Sequence, residues 1–192
     1  MSDTPTLTRT VDGRELPAPG TFAADPVHSL VGFTVRHMMI AKVRGRFSQF
    51  SATLEVPEDP MQSTLEVEVD VASIDTGEAQ RDGHLRSPDF FDVEQYPTMT
   101  FRATGLDLIG EDTVQVHGEL TVHGVTRPLD LEAVYEGVGT DPWGGQRVGF
   151  SAIGELDRED FGLTWNQVLE TGGVMLGKQI RIEIEVEFVR QQ

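Results

Sequence analysis

Apolar and polar residues alternate along much of the chain. Leu65, Val67, Val69 and Val71 interleave with Thr64, Glu66, Glu68 and Asp70. Ile180, Ile182, Ile184, Val186 and Phe188 interleave with Gln179, Arg181, Glu183, Glu185 and Glu187. A period of two is that of a strand with one buried and one wet face. Weaker versions over 29–37, 43–56, 98–108, 113–123, 128–137 and 147–157 bring the predicted strands to eight. Turn signals separate them: Pro57-Glu58-Asp59-Pro60, Gly110-Glu111-Asp112, 124–128, Asp141-Pro142-Trp143-Gly144-Gly145 and Gly172-Gly173. Short links and clean in/out alternation favour an antiparallel barrel over parallel units, which need long crossovers. The period breaks at 77–94, which predicts a helical turn or two ended near Ser87-Pro88, and at 158–177, which predicts another short helix.

Residues 1–20 are rich in Thr, Pro and charge and are read as an N-terminal extension, loose or a small hairpin, ahead of a barrel domain over 21–192. With little core of its own, the extension is expected to be dispensable for folding. Length agrees with one domain: 192 residues can bury roughly 70% of the unfolded surface. The chain has no cysteine, which excludes disulfide scaffolds and thiol chemistry. Fifteen Lys and Arg against 32 Asp and Glu leave a formal charge of −17, a field that repels phosphate backbones and makes nucleic acid an unsuitable partner. Without an apolar run of about eighteen residues or a basic start followed by an apolar stretch, a cytoplasmic protein with no stable membrane insertion is expected. A homodimer is expected only on general frequency.

An eight-stranded barrel either fills its interior or holds one small ligand. Strict alternation puts Gly45, Gly118, Gly154, Ala103, Ala133 and Ala152 on inward faces. The glycines can equally mark bends, but together these six small residues favour a cavity.

Candidate chemistry is sparse. The histidines, His28, His37, His84, His117 and His123, show neither helical HExxH spacing nor a strand H-x-H pair, so no metal site is expected. The acidic pairs Glu58-Asp59, Glu111-Asp112 and Glu159-Asp160 read as solvated surface in so acidic a chain. No nucleophile elbow or phosphate loop occurs. The segment 81–91 differs: Arg81, Asp82 and His84 can anchor a polar head group or form a structural ion pair, and Phe90-Phe91 offer apolar contact. Arg158 to Leu163 has a similar make-up, with Trp165 two residues on.

These segments resemble the YceI-like family. The resemblance rests on Asp25-Pro26-Val27-His28-Ser29, Val43-Arg44-Gly45-Arg46-Phe47, Val71-Ala72-Ser73-Ile74-Asp75-Thr76-Gly77, Arg81-Asp82-Gly83-His84-Leu85, Tyr96-Pro97-Thr98-Met99-Thr100-Phe101 and the runs from Gly118 to Thr126 and Arg158 to Leu163. It spans about residues 20–189 and implies an all-β, eight-stranded, lipocalin-like antiparallel barrel. It also implies that the barrel binds polyisoprenoids, including prenyl-chain quinones, in an elongated apolar pocket; no catalytic activity is established for the family as a whole, and no catalytic residue, metal or cofactor is expected. Many relatives are exported, whereas this chain shows no signal sequence. A barrel of this kind is reused for many ligands, so the pocket must carry the functional claim.

The combined expectation is a carrier, store or stress-related buffer for an isoprenoid or other long-chain lipid. Phe33, Val35, Phe47, Val67, Val69, Phe90, Phe91, Phe101, Leu120, Val122, Phe150, Phe161, Trp165 and Ile182 are expected to line the pocket. Arg81, Asp82, His84 and Arg158 are expected at its polar end. Two alternatives remain: an enzyme on the same barrel with His84 and Asp82 as an acid–base pair, and a filled barrel acting as an interaction module.

Overall fold

A computed structural model describes residues 8–11, 13–170 and 172–192. Strands β1 (Thr8–Val11) and β2 (Arg14–Pro17) form a hairpin apart from the main sheet. The main sheet contains β3 (Gly20–Ala24), β4 (Leu30–His37), β5 (Ala41–Phe47), β6 (Phe50–Val56), β7 (Thr64–Asp70), β8 (Ile74–Asp75), β9 (Thr98–Leu108), β10 (Thr113–Val122), β11 (Val125–Thr140), β12 (Gln146–Asp157) and β13 (Leu176–Arg190). It closes because β12 pairs with both β11 and β13. β3 and β4 share one edge of β13, through Phe188 to Arg190 and Leu176 to Glu185 respectively. β6 pairs with β3 and β5 with β4, so each couple forms one interrupted stave. The ring then counts eight antiparallel staves, as the alternation predicts.

The interruptions have a cause visible in the apolar parity. Val43 and Phe47 face inward at odd positions, whereas Ala52, Leu54 and Val56 face inward at even ones. A continuous strand cannot change parity, because a one-residue slip sends every side chain to the other face. The predicted 43–56 strand is therefore broken at Ser48-Gln49. In the same way inward Phe22 precedes inward Phe33 and Val35, and a 3-10 turn at Pro26–His28 makes the change.

Aspartates place the short turns. Asp25, Asp59, Asp70 and Asp157 each cap a 3-10 turn, accepting from the N–H of Val27, Met61, Ala72 and Glu159. Each side-chain oxygen satisfies a donor the turn leaves free. The α-helix α1 (Ala79–Arg86) begins the same way: Glu78 accepts from Gln80 and Arg81 N–H. α1 ends at Ser87, before Pro88. The helix expected within 158–177 is only a 3-10 turn over Arg158–Phe161, stopped by Gly162 at φ 78°. Beyond it the chain forms a narrow ribbon joined at Val168 and Val174, because Gly172 and Gly173 take positive φ and reverse it.

The barrel has a near end, with α1, the Arg158 turn and the β4–β5 hairpin, and a far end, with the β6–β7 and β9–β10 connections. The β1–β2 hairpin lies over the far end. Arg9 donates to the carbonyls of Pro57 at 2.6 Å and Glu58 at 2.5 Å. The N-terminal extension is a hairpin where described; residues 1–7 and 12 lie outside the described residues. Phe22, Val148 and Phe188 are packed at the far end, and Phe47, Val69, Val71 and Ile74 at the near end.

Candidate functional site

The inward faces enclose an open interior. A cavity of about 1090 Å³ runs from Leu16, Pro17 and Met61 at the far end to Arg81, His84 and Trp165 at the near end. Its volume is at the top of the range for drug-sized ligands, about 300–1,000 Å³. The barrel is therefore not filled.

The small inward residues act in two ways. Ala103, Ala133 and Ala152 line the cavity, as expected of short side chains. The glycines do not enlarge it. A Cβ on Gly45 would lie 2.3 Å from Phe33 Cζ, one on Gly118 2.2 Å from Phe101 Cζ, and one on Gly154 2.5 Å from Leu131 Cδ2. Each glycine slot is occupied by a neighbouring ring or leucine, so glycine there seats a large side chain against the wall.

All fourteen apolar residues singled out in the sequence line the cavity. The polar candidates separate. Arg81, His84 and Arg158 line the near end, and Asp82 does not. The Asp82 carboxylate is buried and accepts from Thr76 N at 2.9 Å and Thr76 Oγ1 at 2.5 Å. Arg81 does not pair with Asp82; its Nε donates to Thr76 Oγ1 at 2.7 Å and its Nη2 to Thr76 O at 2.9 Å. One threonine thus joins the two residues, and the cluster fastens α1 to β8. His84 Nε2 lies 2.9 Å from Asp89 Oδ2, so the His84–Asp82 acid–base pair is not assembled. The His84 ring packs edge-on against Phe90 and Trp165, at 5.1 and 4.7 Å between centroids.

Arg158 is the unusual group. It is only 3% exposed and has no carboxylate partner among the described residues. Its Nε donates to Gly177 O at 2.9 Å and its Nη1 to the carbonyls of Leu163 and Trp165. Its Nη2 is buried without a hydrogen-bond partner. Burial pushes the guanidinium pKa down, against the opposing pull of Glu159 and Asp157. An unpaired buried donor costs about 1–3 kcal/mol, and an oxygen supplied by a ligand would relieve that.

A model of the YceI-like domain matches residues 22–188, which is the closed barrel without the β1–β2 hairpin. The chain belongs to the YceI-like family. A UPF0312 protein of Staphylococcus epidermidis is 40% identical over 169 residues, 87% of this chain and 96% of that protein. The Campylobacter jejuni YCEI protein has a similar structure, with TM-score 0.70 and 30% identity over 82% of this chain and 90% of that one. A polyisoprenoid binding domain from Saccharophagus degradans shares the fold at TM-score 0.69 and 16% identity, over 91% of this chain and all of that one.

In this YceI-like barrel the sequence pattern leaves some groups unmarked. Thr76 is one. Tyr135 is another: its ring stacks near Phe150 at 5.6 Å, and its hydroxyl is buried without a partner toward the far end. Burial raises its pKa, with Glu15 and Asp112 adding to the effect. The inward parity of 128–137 marks the ring, but no local signal marks the stranded hydroxyl.

Two histidines of the β10 region are engaged in ion pairs and stacking. His117 lies 2.8 Å from both Asp107 and Asp130, and those carboxylates raise its pKa. His123 sits in the β10–β11 turn against Tyr96, 4.6 Å between centroids. Asp25, His28 and Glu187 converge closely enough to ligate a cation. Arg147 already supplies a positive charge there, bonded to Asp25 at 2.8 Å and also to Glu187 and Asp141.

Proposed function

We propose that this barrel binds a polyisoprenoid or a prenyl-chain quinone, tail in the cavity and polar end at Arg158, as a carrier, store or buffer of that lipid. The observation that carries this is the pairing of a long apolar cavity with one buried, unpartnered guanidinium nitrogen at the near mouth. Burying each CH₂ contributes about 0.8 kcal/mol, so the tail outweighs any single polar contact, while Arg158 orients the head. Arg81 and His84 border the same mouth. The polyisoprenoid binding domain of Saccharophagus degradans, with the same fold, supports this ligand class. The separation of Asp82 from His84 removes the acid–base pair on which the enzymatic alternative rested.

The test is a prenyl-length series with matched carbonyl-headed and hydrocarbon ligands, measured at two ionic strengths. Affinity should rise with chain length until the cavity is full and should change little with salt, since buried apolar contacts are not screened. Arg158→Met should weaken carbonyl-headed ligands by about tenfold and leave hydrocarbons nearly unchanged. Affinity independent of chain length, or a steep loss with salt, would refute the reading.

A further inference from the structure

The β4–β5 hairpin departs from the rest of the chain in charge and in turn chemistry. No acidic residue occurs between Asp25 and Glu55, that is over residues 26–54, in a chain with 32 acids among 192 residues. Within that stretch Arg36, Lys42, Arg44 and Arg46 are all exposed on the hairpin. Arg36 stands directly opposite Lys42 in the ladder, a like-charge arrangement that disfavours the pair. Arg46 is paired with Asp75 at 3.2 Å, whereas Arg36, Lys42 and Arg44 make no ion pair among the described residues.

The tip is equally unusual. Ile40 N–H donates to His37 O at 3.1 Å, and Met38 and Met39 between them have φ of 51° and 61°. Turns with two successive positive φ favour Asn and Gly, because an L side chain strains there. Here two methionines occupy the positions, and Met39 and Ile40 are 62% and 80% exposed. Strain and exposed apolar surface therefore coincide at one point, backed by unpaired cations.

That point adjoins the near mouth. His37 and Val43 line the cavity, and Met38 N–H donates to the carbonyl of Met175, another lining residue, at 2.7 Å. We propose that Met38, Met39 and Ile40, with Arg36, Lys42 and Arg44 behind them, dock reversibly on an anionic lipid surface and so turn the near mouth toward the bilayer. This rests on the lipid-binding reading above, to which it adds the face through which lipid is exchanged.

The chemistry fits an interfacial contact. Short apolar side chains enter the headgroup boundary, and cations just behind them meet the phosphates. The net charge of −17 does not forbid this, because at physiological salt charges beyond about 8 Å are largely screened. The far end carries Asp59, Glu111, Asp112 and Asp141, and the near end has exposed acids of its own away from the hairpin, Glu78, Asp89 and Asp160, so the orientation rests on the local charge of the hairpin. Glu170, exposed on the adjoining ribbon, is an acid that opposes docking.

The experiment is flotation of the full-length, delipidated protein with vesicles of phosphatidylcholine alone or of equimolar phosphatidylcholine and phosphatidylglycerol, at physiological and high salt. The protein should float with the anionic vesicles at physiological salt, where its distant acids are screened, and with neither at high salt. Lys42→Gln/Arg44→Gln should weaken flotation about thirty-fold and Met39→Asn/Ile40→Ser at least tenfold, while Glu170→Gln strengthens it. No variant should melt below wild type, since the changes relieve like-charge repulsion or positive-φ strain, and all should bind a detergent-solubilised prenyl ligand normally, which separates failure of docking from failure of the cavity. Absence of flotation, equal flotation of the tip variants, or a tip variant that instead changes the assembly mass, as a self-contact would, overturns the proposal.

Discussion

Gly118 gives the sharpest test of how the barrel wall is packed. Replacing it with alanine adds one methyl group on the inward face of β10. That carbon would lie 2.2 Å from Phe101 Cζ, 2.4 Å from Phe101 Cε2 and 2.9 Å from the backbone carbonyl of Arg102. The ring can move, because Phe101 faces the cavity, but the Arg102 carbonyl belongs to the β9 ladder and cannot move without disturbing its neighbours. Overpacking of this kind costs about 1–3 kcal/mol. For a chain of this size that is roughly 2–12 °C in melting temperature, at about 2–4 °C per kcal/mol. The displaced ring should also enter the cavity and shorten the longest prenyl chain that fits. Phe101→Leu in the Gly118→Ala background should recover part of the loss. A double-mutant cycle from denaturant midpoints then gives a coupling of about 1 kcal/mol or more, as expected for residues in contact. Gly118→Ala with unchanged stability, or strictly additive single and double variants, would refute the view that glycine here seats the ring.

Two further outcomes follow from the far end of the barrel. Hydrogen bonds from Arg147 and His28 hold the Asp25 carboxyl down to about 2, so its folded value lies below the unfolded one. Its stabilisation is complete above about pH 4 and is lost as pH falls through 2. Comparing wild type with Arg147→Met by denaturation between pH 5 and 2 should show about 1–2 kcal/mol of acid-dependent loss that the variant lacks; parallel profiles would contradict it. Deleting residues 1–17 removes Arg9 and the cover over the far mouth, and should lower the melting temperature by about 2–4 °C and speed ligand exchange. Unchanged values would return the extension to the dispensable role its composition predicts.

The turn positions were legible because they are local. An aspartate two residues before a free N–H caps a turn from within the segment, and all four described 3-10 turns start this way, although only Asp59 falls in a turn signal named from the sequence. The break at Ser48-Gln49 was equally open to inspection, in the parity change between Phe47 and Ala52, but a single strand over 43–56 passes over it. The helix expected at 158–177 failed because irregular composition was read as helical, whereas Gly162, Gly172 and Gly173 adopt positive φ and break it into turns.

Alternation by itself determined which strand residues face inward, since a strand leaves each side chain only two directions, and the ten expected apolar residues on strands do line the cavity; Phe90, Phe91, Phe161 and Trp165 lie on no strand and are brought there by the connections. Which side chain meets which was decided only in three dimensions. Phe33 fills the slot at Gly45 because β4 and β5 set the two opposite each other, and Phe101 fills that at Gly118 where the β9–β10 register shifts by one residue. Thr76 takes both Arg81 and Asp82, although those neighbours look like an ion pair on paper. Arg158 meets carbonyls from Leu163, Trp165 and Gly177 and keeps one nitrogen unpaired, an arrangement that exists only once the chain after β12 has folded back over the mouth. Facing is a property of one strand; partnership depends on the register and the loops that bring separate segments together.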